Sequence, residues 1–169
     1  RNAIKQSCDI YFYEIARRLG IDRLSVTAKQ FGLGKRVLDN FNEERSGIVP
    51  DTKWKLNNIG KGWVLGETLI SGIGQGYFQS TPIQLCLMIA QFANGGYEIK
   101  PRIIDSGMNL SSFGLKKLYN NKENIKFVND ALYGATNEPM GTSYRSRFTK
   151  PEYVYAGKTG TSQIRKITK

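Results

Sequence analysis

Histidine is absent from the 169-residue chain, and cysteine occurs only twice, at Cys8 and Cys86. Without an imidazole, neither a Ser-His nor a Cys-His catalytic couple can form, and a His-based zinc site is excluded. The two cysteines share no metal-like spacing, and sequence alone leaves a disulfide between them undecided. Cys86 falls inside the apolar run from Ile83 to Ala93, which predicts a buried structural thiol. Chemistry must therefore come from Ser, Thr, Lys, Asp or Tyr, and no cofactor is expected.

Long apolar runs are also missing. Nothing approaches the roughly 20 consecutive apolar residues of a membrane helix, and Arg1 to Arg18 has no signal-peptide pattern. The chain opens on Arg1 rather than Met, which predicts a piece of a longer protein. Acidic residues are few: 14 against 25 basic ones, a net charge of +11. Such a balance suits an anionic partner, but no run of five basic residues occurs and the cluster Arg145, Arg147, Lys150 is interrupted. A Lys-rich surface without a dedicated partner is the expectation, and nucleic acid is not among the expected partners.

What is present reads mostly as helix. Phe12, Ile15, Ala16 and Leu19 form one stripe of a helix over Ile10 to Leu19, with Gly20 at its left-handed C-terminal position. Ile21, Leu24, Ala28 and Phe31 mark a second helix. Residues 35–80 are punctuated by Gly, Asn and Pro and predict mostly loop, with a short helix near Asp51 to Leu56. Thr81, Pro82 and Gln84 make a capping box ahead of a helix apolar on nearly every face, expected to be central and buried. Another helix is predicted over Glu123 to Ala135, and Tyr97 to Ile104 as a short extended segment. Tyr153 to Ala156 has the Val and Tyr enrichment of a strand and runs into Gly157-Lys-Thr-Gly-Thr161. One strand cannot satisfy its own backbone groups, so its partners must lie elsewhere.

Two motifs carry candidate chemistry. Lys158-Thr-Gly-Thr161 offers an ammonium and two hydroxyls to a carboxylate, with Gly160 admitting a ligand close to the backbone. Alone, the tripeptide fits a turn after an edge strand equally well. Ser7-Cys-Asp9 opens a helix, where Ser and Asp are ordinary capping residues; the functional alternative makes Ser7 a proton relay and Asp9 a polar contact facing a cleft. Gly72-x-Gly-x-Gly lacks nucleotide-fingerprint spacing and reads as a turn. Trp54, Trp63, Tyr77 and Phe78 read as packing, with a ligand groove as the alternative, and Glu43 and Glu44 as solvated.

The two motifs, in this order and about 150 residues apart, resemble the second and third signatures of the penicillin-recognising serine enzymes. The blocks Ser7 to Tyr13, Leu19-Gly-Ile-Asp-Arg-Leu24, Glu44-Arg-Ser-Gly47, Gly72 to Tyr77 and Thr81-Pro-Ile-Gln84 make the resemblance specific to class B penicillin-binding proteins, in the penicillin-binding protein 2 subfamily of cell elongation. It implies an α+β penicillin-binding/serine β-lactamase-like fold, of which residues 1–169 are a partial transpeptidase domain: mostly helical subdomain plus one edge strand. It also implies a peptidoglycan D,D-transpeptidase at the periplasmic face of the bacterial inner membrane. Expected partners are peptidoglycan stem peptides, β-lactam antibiotics and other cell-elongation proteins. Ser7, Lys158 and Thr161 would be catalytic: Ser7 in proton transfer with Lys158, and the Thr161 N–H as half of an oxyanion hole. Asp9, Thr159, Gly160 and Thr161 would bind substrate, Asp9 standing where many relatives carry Asn.

The chain departs from that pattern in one respect. No Ser is followed three positions later by Lys; Ser25 is one residue too far from Lys29, and Ser162 is followed by Arg165, which cannot act as a base. The Ser-x-x-Lys helix is expected before Arg1, and the final strands and helix after Lys169. The chain alone is expected to be inactive and poorly folded. The rival readings are a split-gene remnant, a non-enzymatic β-lactam-binding sensor, and a class D β-lactamase.

Overall fold

A computed structural model describes residues 1–39, 41–103 and 116–162. Seven α-helices appear in it: α1 (Asn2–Lys5), α2 (Asp9–Leu19), α3 (Ile21–Gln30), α4 (Thr52–Ile59), α5 (Leu65–Ser71), α6 (Pro82–Ala93) and α7 (Lys122–Asn137). α2 packs on α5 and α1 on α7, and these two contacts set the site described below.

α2 and α3 follow the sequence periodicity closely. Ala16 and Ile21 are almost fully enclosed, while Phe12, Ile15 and Leu19 are half-buried. Gly20 joins the helices at φ 76°, ψ 157°, so its positive φ matches the expectation but its ψ is not that of a left-handed helix cap. This extended ψ lets one glycine end α2 and serve as N-cap of α3. Phe31 stacks on Phe92 of α6 with centroids 4.5 Å apart, beside Leu118 and Ile125 in the main apolar cluster.

The segment from 35 to 80 is more ordered than its glycines suggest. α4 forms with Asp51 as N-cap, its carboxylate accepting from the Trp54 N–H at 2.7 Å. α5 was not expected; Gly66 and the surrounding glycines mask it, yet the Glu67 carboxylate accepts from the Val64 N–H and anchors its first turn. Trp54, Trp63 and Tyr77 cluster together, and Trp63 donates to Thr68, so these aromatics are packing. Glu44 corrects the expectation of a solvated pair: it is buried and accepts from the Val37 and Leu38 N–H groups, whereas Glu43 is exposed.

α6 is less enclosed than its composition predicts. The Thr81–Gln84 capping box forms, and Gln84 is wholly buried, its amide donating to the Lys35 and Ser46 carbonyls. Leu85 and Ile89 are nonetheless 44% and 42% exposed, and Cys86 is an exposed free thiol, as is Cys8. The buried stripe of α6 thus includes two glutamines, Gln84 and Gln91, satisfied by backbone partners on neighbouring segments, and its opposite face stays open.

No β-ladder forms among the described residues; only isolated bridges pair Ile48 with Gln79 and Tyr97 with Lys117. Within the segment read as extended, Tyr97 to Ile104, Tyr97 bridges Lys117 and the Glu98 N–H donates to the Lys116 carbonyl at 2.8 Å, while Ile104 lies outside the described residues. The strand expected at Tyr153 to Ala156 is corrected. Pro151–Tyr153 is a short 3₁₀ turn, and Val154 is extended at φ −64°, ψ 130° with no neighbouring strand beside it among the described residues. Extended backbone becomes a strand only when a second one accepts its hydrogen bonds.

Candidate active site

Ser7 sits in the tight connection between α1 and α2. It is not the N-cap of α2: Cys8 holds that position, and Ser7 adopts φ 55°, a left-handed conformation rare for a residue with a side chain. The hydroxyl is therefore not consumed in capping, as the simplest reading of Ser7-Cys-Asp9 would have it. It accepts instead from the Lys158 Nζ at 2.8 Å.

Lys158 arrives there because the chain before it is pinned along α7. Asn137 donates to the Tyr155 carbonyl at 2.8 Å, and the Gly157 N–H to the Leu132 carbonyl at 3.3 Å. Besides Ser7, the ammonium donates to the Thr159 carbonyl at 2.9 Å and the Thr159 hydroxyl at 3.1 Å, so each of its three protons has an acceptor. Burial holds the Lys158 pKa below its ordinary value of 10.5, and the Asp9 carboxylate partly offsets this by favouring the charged form.

A cleft of about 380 Å³ opens over these groups. Ser7, Asp9, Lys158, Thr159, Gly160 and Thr161 all line it, so the structure gathers the six residues singled out in the sequence. Asp9 stands exposed in the first turn of α2. Gly160 has nothing within 4 Å of where a side chain would project, leaving the floor of the cleft open. The far wall is Phe12, Gly72, Ile73 and Gln75. Gly72 lies where a Cβ would sit 2.5 Å from the Ala16 Cβ, so only glycine lets α5 close against α2 and bring this wall up.

Three contributors were not legible beforehand. Phe12 belongs to the apolar stripe of α2 and reads as core. Gln75 is hidden in a glycine turn, where a lone polar side chain was the available signal. Thr142, which accepts from the Thr159 hydroxyl at 3.0 Å, carries no sequence signal. Arranged together, the groups can hold an acceptor-rich anion at the Lys158–Thr161 end and pass a proton through Ser7.

A hydroxyl–ammonium pair thus joins the connection before α2 to the Lys-Thr-Gly segment. Residues 1–168 match the model of the penicillin binding protein transpeptidase domain, and the chain belongs to that family. It is 36% identical over 170 residues to the peptidoglycan D,D-transpeptidase MrdA of Salmonella typhimurium, covering 96% of this chain and 27% of that protein. MrdA of Acinetobacter baumannii is 32% identical over 98% of this chain and 25% of its own length. The chain thus spans about a quarter of the length of these curated relatives. Among solved structures, penicillin-binding protein 2 of Helicobacter pylori in its complex with MreC matches with TM-score 0.86 and 33% identity, over 96% of this chain and 30% of that one. Penicillin-binding protein 2 of Pseudomonas aeruginosa, in complex with WCK 5153, matches with TM-score 0.85 and 37% identity, over 96% and 38%. The fold is the α+β penicillin-binding transpeptidase fold, of which these residues form a predominantly helical part.

Proposed function

We propose that this chain supplies two of the three active-site motifs of a peptidoglycan D,D-transpeptidase that cross-links stem peptides in bacterial cell-wall synthesis. The observation that carries the proposal is the Lys158–Ser7 hydrogen bond at the mouth of a cleft also lined by Thr159 and Thr161. In the reaction, a serine outside these 169 residues gives its proton to a base also outside them and adds to the carbonyl between the two terminal D-alanines. The tetrahedral adduct expels D-alanine, protonated from the Lys158–Ser7 pair, and leaves an acyl-serine. The amine of a second stem peptide then displaces the serine; the proton it loses restores Lys158, and the base returns its proton to the serine.

Each residue has a role set by its chemistry. The Lys158 ammonium, sharing a proton with Ser7, delivers it to the departing amine; a positioned acid of this kind contributes about a hundredfold or more. The Thr159 and Thr161 hydroxyls hold the terminal carboxylate, assisted by the Lys158 charge. The Thr161 N–H stabilises the oxyanion together with that of the absent serine, and one such donor supplies roughly 3 kcal/mol. Asp9 contacts a substrate amide. A β-lactam enters the same site with its ring carbonyl as the acylated group. Among the described residues no helix is long and apolar enough to cross a membrane; the proposed place of work is the periplasmic face of the inner membrane, beside other cell-elongation proteins.

No Ser-x-x-Lys occurs in the sequence, so the isolated chain is proposed to be inactive. The test is labelling of the full-length protein carrying this segment with a fluorescent penicillin, followed by mapping of the adduct. An adduct on a serine outside residues 1–169, reduced about a hundredfold by Lys158→Ala, is expected. Labelling that ignores this substitution, or maps to a serine within the segment, overturns the proposal. A protein that takes no label at all is the inactive remnant.

A further inference from the structure

We propose that Thr142 is a positioning residue for carboxylate recognition, acting through a Thr142–Thr159 hydroxyl pair whose hydrogen bond reverses direction when the anion binds. The proposal rests on the assignment of Thr159 as a carboxylate ligand.

The direction of the pair follows from donor counting. An ammonium only donates, so the Thr159 Oγ1, 3.1 Å from the Lys158 Nζ, accepts from it. The Thr159 proton must then go elsewhere, and the Thr142 Oγ1 stands 3.0 Å away to receive it. A hydroxyl has one donor and two acceptor sites. Before ligand arrives, the single Thr159 proton is committed to Thr142 and one acceptor site of Thr159 is empty.

A carboxylate only accepts, so binding it at Thr159 requires that proton. Withdrawal from Thr142 would leave a bond unmade, except that Thr142 carries a proton of its own. Rotation of the Thr142 O–H lets it donate back to Thr159. Thr159 then accepts from Lys158 and Thr142 and donates to the carboxylate, with all three sites used. No heavy atom needs to move.

Thr142 is held well enough to do this. Its N–H donates to the Lys5 carbonyl at 3.2 Å, two residues before Ser7, and the Ser143 N–H donates to the Ala135 carbonyl at 2.9 Å. Gly141 lies so close to α7 that a Cβ would fall 2.4 Å from the Ala135 carbonyl oxygen. Glu138, joined to Arg1 and Lys5, ties the same turn to α1. Thr142 therefore sits where α1, α7 and the Lys158 segment converge, and its hydroxyl has no other protein partner among the described residues.

The test measures acylation of the full-length protein by a β-lactam bearing its free carboxylate and by the methyl ester of the same compound. Thr142→Val is expected to weaken the carboxylate reaction about tenfold, the size of one hydrogen bond, through KM rather than kcat. The ester reaction should change less than about twofold, and Thr142→Ser should restore the wild-type ratio. Equal losses on both compounds, or none on either, overturn the proposal. Thr159→Val separates the two levels of inference. If it fails to discriminate acid from ester, the carboxylate assignment itself falls; if it discriminates while Thr142→Val does not, only the role of Thr142 falls.

Discussion

The Lys158 ammonium donates to the Ser7 hydroxyl at 2.8 Å, joining residues 151 positions apart. Neither residue is free to be elsewhere: Ser7 is fixed by the turn between α1 and α2, and Lys158 by two hydrogen bonds between the preceding residues and α7. Because α1 packs on α7, the two anchors are one unit.

That enclosure makes Lys158 a lysine that loses its proton early. Burial lowers its pKa below 10.5 and Asp9 raises it part of the way back, so Asp9→Asn should lower it further. For a lysine depressed in the folded state, the unfolded chain holds more protons between the two values. Stability should therefore rise with pH through the folded-state value and level off above 10.5. Lysine-selective NMR across this range checks both points, with Lys158→Met identifying the signal. A Lys158 resonance titrating with the surface lysines, or moving upward in Asp9→Asn, contradicts the geometry.

Gly72 and Gly160 both line the cleft but should respond in opposite ways to alanine. At Gly72 the new Cβ would meet the Ala16 Cβ at 2.5 Å and the Leu69 and Phe12 carbonyl oxygens at just over 3 Å, so α2 and α5 must part. Gly72→Ala should cost about 1–3 kcal/mol of stability, as overpacking does. At Gly160 a Cβ meets nothing within 4 Å, so Gly160→Ala should change stability by less than about 0.5 kcal/mol. It should still weaken β-lactam acylation of the full-length protein, because the methyl group projects into the cleft proposed to hold the ligand. Urea denaturation and acylation rates of both variants check the contrast.

Much of this was legible in the sequence because it is local. The α2 stripe, the positive φ of Gly20 and the Thr81–Gln84 box are consequences of spacing within one helical turn or two. The six cleft residues could be listed because two motifs resembled a family, whereas spacing alone read Ser7 as a cap. What stayed hidden depends on distant partners. Glu44 looks solvated until the Val37 and Leu38 N–H groups turn toward it. Cys86 looks buried until one face of α6 is seen to be uncovered. The extended residues near Val154 carry strand propensity, but a strand is a property of two segments. Thr142 is one threonine among several until Thr159 is placed beside it.

Lys55 is buried on α4 and pairs with Glu67 of α5 at 2.5 Å, beneath Trp63. Burial pushes the Glu67 pKa up, but the Lys55 ammonium and the Val64 N–H outweigh it, and the carboxyl lies below 4.5. A depressed carboxylate contributes stability above its unfolded value and loses it as pH falls through the folded one. The pair should therefore weaken only in acid below the ordinary carboxylate range. At neutral pH, Lys55→Met leaves a partly enclosed anion unpaired and should cost roughly 2–3 kcal/mol, near the low end for a broken buried pair. Adding Glu67→Leu should recover part of this, less the cap it gives Val64. A double variant less stable than Lys55→Met alone would show that the cap, not the ion pair, dominates.

Ser7 separates strain from chemistry. At φ 55° its Cβ crowds the backbone, a cost of about 1 kcal/mol that glycine avoids. Strained residues persist where the surroundings over-determine them, often because a side chain must point somewhere particular. Here the direction is toward the Lys158 Nζ. Ser7→Ala removes the hydroxyl and keeps the strain; Ser7→Gly removes both. Both should lose β-lactam acylation to the same extent, since neither offers Lys158 an acceptor. Their melting temperatures should differ slightly, with Ser7→Gly the more stable by up to about 0.5 kcal/mol after allowing for the greater freedom of glycine when unfolded. If Ser7→Ala proves the more stable variant, the left-handed turn is not what aims the hydroxyl, and the link between α1 and the cleft must be sought in the Cys8 N–H to Ala3 carbonyl bond instead.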